Sequence, residues 1–236
     1  MSTTTIDAAD MTVIHELKLS TFDMGWLAKG LLAAAARGEV FGVTYHAHIT
    51  ADGLSATASA TDGYRIHQMQ LALRAPVDQL SVVLPREALV WAAKNVRTFV
   101  AKKDALIEPI AILQLAVPAI PDEHSKPGWV QVIYKEWDDE DAPSARFDAP
   151  LIGDDYPTLE RIIDNARTAD RGKPAPLNLD FLADARTLQT PHSTIPTIDY
   201  TTGAQGRPGS AVLDFWEGPV LRATAVIQPT RTEADE

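Results

Sequence analysis

Three times along this chain a short alternating stretch runs straight into a helix-periodic one and then into further alternating stretches. A strand, a helix and several strands, repeated, restrict the chain to sheets covered on one side by helices, an α+β architecture. The first instance opens with HELKLS (15–20). TFDMGWLAKGLLAAAARG follows, with Thr21 or Ser20 as N-cap and Gly38 as the stop. Met24, Leu27, Leu31 and Ala35 recur at helical spacing, so one face of this helix is buried. VFGVTYHAHI, LSATASA and YRIHQMQLAL then alternate as strands, separated by turns at Ala51-Asp52-Gly53 and Asp62-Gly63.

The second instance begins with LSVVLP (80–85) and the helix REALVWAAKNVRTF, with Pro85 at its entrance and Leu89, Ala92, Ala93 and Val96 as its apolar stripe. ALIEPIAILQLAV, WVQVIYKEW and ARFDAPLI supply its strands, joined by the polar, Pro-containing loops PAIPDEHSKPG and DDEDAPS. A short helical turn and a Gly/Pro-containing linker occupy 154–176. The third instance reads LNLD as strand, FLADARTLQT as helix, and TIPTIDYTT, AVLDFWEG and VLRATAVIQPT as strands. The expected organisation is two units over 12–165, a linker at 166–176, a third unit over 177–231 and a tail at 232–236.

Charge narrows the function classes. Net charge is −11 over 236 residues, which taken alone argues against nucleic-acid binding. Its distribution says more. Arg86, Lys94, Arg97, Lys102 and Lys103 face a single anion, Glu87, across 86–103. Eight carboxylates against Arg146 fill 136–155. Fields are screened within about 10 Å at 0.1 M salt, so an acidic body carrying a basic helix still meets a phosphate backbone. Zero cysteines exclude disulfides and thiolate metal sites. No apolar run reaches membrane-spanning length, and MSTTTIDAADM has neither a basic nor an apolar leader region. A cytoplasmic protein without membrane contact is expected. GxSxG, GxxxxGK[ST] and GxGxxG motifs are absent, and TTGAQGRPGSA has no helix after it to make a phosphate loop.

The motifs carry a resemblance. SATDGYRIHQ resembles the A-T-D-G-H-R-L segment of bacterial-type DNA sliding clamps, the processivity subunits of replicative polymerases. SVVLPREALVWAAK is similar to their V-I-V-P-R-K-A-L segment, and APLIGDDYPTLERII to their D-G-x-F-P-D-Y-x-x-V-L-P. TAVIQPTR resembles their terminal Y-V-V-M-P-M-R. Order and spacing agree over residues 12–231.

This resemblance implies a clamp fold of repeated β-α-β-β-β units, helices lining a ring and sheets outside, with no enzyme activity and no cofactor. It implies partners too: double-stranded DNA held without sequence preference, and docking peptides of the DNA polymerase and clamp loader in a bacterial or phage-infected cell. Lys29, Arg37, Arg86, Lys94, Arg97 and Arg186 are the implied DNA-facing set. The implied peptide pocket takes Thr61, Gly63, Tyr64, Arg65 and Ile66 from the first unit, and Val226, Gln228, Pro229, Thr230 and Arg231 from the last. Tyr64 replaces the usual His, and Gln228 and Thr230 replace two Met, which makes the pocket floor more polar. Related rings close at twelve units. Three units per chain require a homotetramer, and a fourth unit would give a trimer.

Two other readings stand beside it. His46 and His48 share one face of a strand, with Asp52 and His67 nearby in sequence, as a metal-dependent cupin-like enzyme would require. A clamp-like module that binds replication factors without encircling DNA, a decoy, has the same sequence signature.

Overall fold

The computed structural model describes residues 12–99, 108–118, 128–139, 141–142, 144–153, 155–203 and 207–230. Strand β1 (Thr12–Ser20) leads directly into helix α1 (Thr21–Ala34). Ser20 makes that junction: its side chain accepts from the Asp23 N–H at 2.9 Å, which satisfies a free donor of the first turn. A 3-10 segment (Glu39–Tyr45) precedes the long strands β2 (Ala47–Thr61) and β3 (Arg65–Leu84). Helix α2 (Arg86–Asn95) is prolonged by a 3-10 turn (Val96–Phe99) and followed by β4 (Ile110–Pro118), β5 (Trp129–Lys135) and β6 (Ser144–Pro150). Helices α3 (Glu160–Thr168) and α4 (Leu179–Ala185) come next, and a 3-10 turn (Arg186–Leu188) ends α4. Strands β7 (Ile198–Thr202), β8 (Pro208–Glu217) and β9 (Val220–Ile227) complete the chain.

Two antiparallel sheets result, in the orders β1-β4-β5-β6 and β2-β3-β9-β8-β7. Both cross between the recurring stretches of sequence: β1 pairs with β4 over its whole length, and the start of β3 pairs with β9, Arg65 opposite Ile227. Helix α1 lies against β2 and β3, α2 against β5 and β6, and the two helices touch each other. One core joins the layers, through Leu17 and Leu19 of β1, Met24, Leu27 and Leu31 of α1, Leu89 of α2, Val132 and Tyr134 of β5, and Phe215 of β8. Tyr134 is fully buried because its hydroxyl donates to the Ala92 carbonyl at 3.0 Å and its ring stacks on Trp91 and Phe99. At Gly30 a Cβ would lie 2.6 Å from Met69 Sδ, so the missing side chain lets α1 settle onto the second sheet.

The element boundaries correct four expectations. VFGVTYHAHI is not a strand from its start: Gly42 sits at φ +61°, a conformation that breaks an extended run, and β2 begins only at Ala47. Ala51-Asp52-Gly53 is a bulge inside β2, with register shifts on both sides of Gly53, and not a hairpin turn. YRIHQMQLAL and LSVVLP are one strand, β3, because β2 pairs with both stretches, Thr61 to Ser55 with Ile66 to Ala72 and Ala51 to Ala47 with Leu80 to Leu84. Pro76 falls opposite the bulge, where its missing N–H costs no ladder bond. LNLD is no strand either: the Asn178 side chain caps α4 by accepting from the Asp180 N–H at 2.8 Å.

Candidate functional site

The turn between β2 and β3 is built by its own side chains. Asp62 Oδ1 accepts from the N–H groups of Tyr64 (3.0 Å) and Arg65 (3.1 Å), the Thr61 hydroxyl accepts from Gly63 N, and Gly63 takes φ +89°. Arg65 is buried, with its guanidinium between Asp62 (3.0 Å) and Asp184 of α4 and 4.3 Å above the Phe181 ring. The residue therefore ties the turn to α4.

Ladder pairing brings the end of β9 alongside this turn. Ile66 is opposite Val226, and Gln228 N donates to the Tyr64 carbonyl at 2.8 Å. Alternation along β3 turns His67 and Met69 toward α1, and Ile66 toward the opposite face of the sheet. On that opposite face α3 lays Leu159 and Ile163 over Ile66 and Val226, with Tyr156 packed beside them. Arg167 fixes the far end of α3 by donating to Asp214 at 2.9 Å and to Thr224. Tyr156 stacks on His48 at 5.4 Å, and burial holds its phenol well above the ordinary range. Around this buried cluster Tyr64 (66% exposed) and Ile162 (42% exposed) leave apolar surface open to solvent. Turn, strand end and helix thus meet around one buried apolar cluster, with Tyr64 and Ile162 as its exposed apolar neighbours in sequence.

Of the expected pocket residues, Thr61, Arg65, Ile66 and Val226 are buried, Gly63, Tyr64, Gln228 and Thr230 are exposed, and Pro229 is half-buried. Arg231 lies outside the described residues. Tyr156, Leu159 and Ile163, all within the DDYPTLERII motif, join these residues without being among the expected pocket set. The expected DNA-facing cations all sit on the helices or at their ends. Lys29, Lys94, Arg97 and Arg186 are exposed and carry no ion pair among the described residues. Arg37 is exposed but within 3.6 Å of Asp184. Arg86 is half-buried, donating to the Ala36 carbonyl at 3.3 Å with its guanidinium 4.9 Å above Tyr45.

The histidines are spread over separate environments. His46 Nδ1 accepts from Arg86 N, and His48 Nε2 shares a hydrogen bond with Ser81 at 2.9 Å. Burial lowers the His48 pKa, with Glu160 opposing. His67 lies on the helix-covered face, with Nδ1 on the Gly30 carbonyl, while Asp52 is exposed in the bulge. No group of three His, Asp or Glu able to hold a metal occurs among the described residues.

No protein-family model matches the chain, and no curated protein matches it. Solved structures do. A DNA polymerase sliding clamp from Pseudomonas aeruginosa aligns at TM-score 0.57 and 12% identity, over 92% of this chain and 67% of that one. One from Bacillus subtilis aligns at 0.53 and 13%, over 92% and 64%. The Pseudomonas aeruginosa clamp bound to griselimycin aligns at 0.57 and 12%, over 98% and 68%.

The fold is that of a bacterial DNA sliding clamp.

The chain spans between 64% and 68% of the length of these clamps, so it carries the clamp fold in a shorter form. Within that fold the turn, the β9 end and α3 converge from three stretches of sequence, and the unpaired cations stand on the helices. No helix among the described residues is long and apolar enough to cross a membrane.

Proposed function

We propose that this protein is a sliding clamp: a ring of identical chains that encircles duplex DNA and tethers a polymerase through a peptide-docking pocket. The observation that supports the reading is the convergence of the Tyr64 turn, the β9 end and α3 around one apolar cluster within a clamp fold. Lys29, Lys94, Arg97 and Arg186 suit the other requirement, because sequence-independent holding of DNA needs mobile cations toward phosphates and no base contacts. Such a protein performs no chemistry, so it is read as a non-enzymatic scaffold of the bacterial or phage-infected cytoplasm. The pocket occupants are short peptides of polymerase and clamp loader with hydrophobic anchors. They sit against the exposed Tyr64 and Ile162 and the half-buried Pro229, beside the buried Ile66 and Val226, with Gln228 and Thr230 supplying polar contacts.

Topology provides the test. After incubation with a bacterial clamp loader and ATP, the protein should stay on closed circular DNA through a high-salt wash and leave once the circle is cut. Electrostatic binding alone would be lost in the wash. Equal retention on linear and circular DNA contradicts the reading. A decoy would bind the docking peptides and show no retention on either DNA.

A further inference from the structure

A concave site lies on the helix-covered side of the sheet, away from the Ile66–Val226 cluster. It is a cleft of about 530 Å³ between the first half of α1, the 3-10 turn after α2 and the segment after α4. That volume suits a small molecule or a single nucleotide. Phe22, Trp26 and Lys29 form one stripe of α1 on its wall, at helical spacing. Val96 and Arg97 of the 3-10 turn and Gln189 after α4 also line it.

The aromatic pair differs in its commitments. Trp26 is buried and fixed: its indole N–H donates to the Leu188 carbonyl at 3.1 Å, and Arg222 sits 5.2 Å from its ring. Phe22 is 50% exposed and lines the cleft, so part of its ring surface is open for stacking. Lys29 and Arg97 have no ion pair among the described residues, whereas Glu108, also in the lining, is paired with Arg74 at 2.9 Å. The Gln189 side-chain carboxamide makes no hydrogen bond among the described residues, and it offers a donor and an acceptor together. A carboxylate needs donors alone. A base edge needs both.

We propose that this cleft is a subsite for one unpaired nucleotide of single-stranded DNA, with the base stacked on Phe22 and its flanking phosphates held between Lys29 and Arg97. Aromatic stacking flanked by cations is the common physics of single-strand binding. The subsite does not require a closed ring, so it stands or falls separately from the clamp reading.

The experiment is an anisotropy titration of the full chain, at low salt, with a fluorescein-labelled oligothymidylate and with a blunt duplex carrying the same label. Phe22→Ala should weaken oligothymidylate binding roughly 5- to 150-fold, the loss expected for one stacked base, and leave duplex binding within about twofold. Phe22→Trp should restore it, and Lys29→Glu combined with Arg97→Glu should abolish it. Phe22 is half-exposed, so the variants fold, and unchanged thermal melting checks this. The proposal is overturned if Phe22→Ala binds oligothymidylate as the unaltered protein does, or if the unaltered protein fails to bind it. Equally effective displacement by a Glu-rich, Phe-containing peptide also overturns it, since the cleft then takes acidic peptides. Loss of topological retention on circular DNA with the oligothymidylate results intact would remove the clamp reading and leave the subsite standing.

Discussion

Arg65 shows how one residue serves both local and long-range structure. Its charge is buried only because Asp62 and Asp184 accept from it, so removing it leaves two carboxylates facing each other in a partly dry site. Arg65→Met should lower stability by about 2–4 kcal/mol in urea unfolding, and it should loosen α4 from the turn. His67 makes a different demand. It is fully buried, and desolvation lowers its pKa from 6.5 to about 4, outweighing the raising effect of the Gly30 carbonyl. Between these values the unfolded chain binds a proton that the folded chain refuses. Stability therefore falls as pH drops from about 6.5 toward 4, by on the order of 3 kcal/mol from this group. His67→Leu should flatten that part of the urea-midpoint profile; an unchanged slope would show that other groups carry it. At this scale the sequence was legible. Asp62, Gly63 and Thr61 act within a few bonds of their own backbone, so TDG announces its turn without tertiary help.

At the scale of elements the sequence told less, for reasons visible in particular strands. Alternation marks residues as extended but does not say where a strand stops, so β3 was divided at a Pro that its partner's bulge tolerates. Asn178 has the side chain of a cap and the neighbours of a strand, and only α4 decides between them. The sequence shows a short helical turn in DDYPTLERII but not the strands it covers, so Leu159 and Ile163 are not legible there as partners of Ile66 and Val226. Ile163→Ala should cost about 2–4 kcal/mol of stability, as buried Ile truncations do, and weaken binding of a clamp-docking peptide in the same preparation. Gly128 sets the entry to β5: it takes φ +90°, and a Cβ there would lie 2.0 Å from the Ala116 carbonyl oxygen. Gly128→Ala should therefore destabilise by more than about 2 kcal/mol, with the loss read as a lower melting temperature and faster amide exchange in β4 and β5.

For the whole molecule, the repeated strand–helix–strand pattern was legible as architecture because it fixes layers, while the pairing between repeats was not. Loop lengths and periodicity do not specify that β1 joins β4 or that β3 joins β9. Assembly belongs to this scale as well. The outer edge of β7 is covered, since Gly172 N donates to the Tyr200 carbonyl and Thr202 N to that of Asp170. The outer edge of β6 has no backbone partner among the described residues, and an open edge invites another chain. On the ring proposal, with three units per chain and twelve per ring, a particle of four chains is expected, and a fourth unit would make it three. Light scattering or native mass spectrometry reads this directly, and a stable monomer at micromolar concentration would end the ring proposal.

The ladder between β3 and β9 also has a mechanical side. Five consecutive residue pairs, from Arg65–Ile227 to Met69–Ala223, lie immediately behind the Tyr64 turn. A pull applied at that turn along the strand axis loads these hydrogen bonds in shear, all at once, instead of opening them one after another as a zipper. A partner moored there could drag the chain without peeling the sheet apart, and the first and last thirds of the sequence would bear the load together.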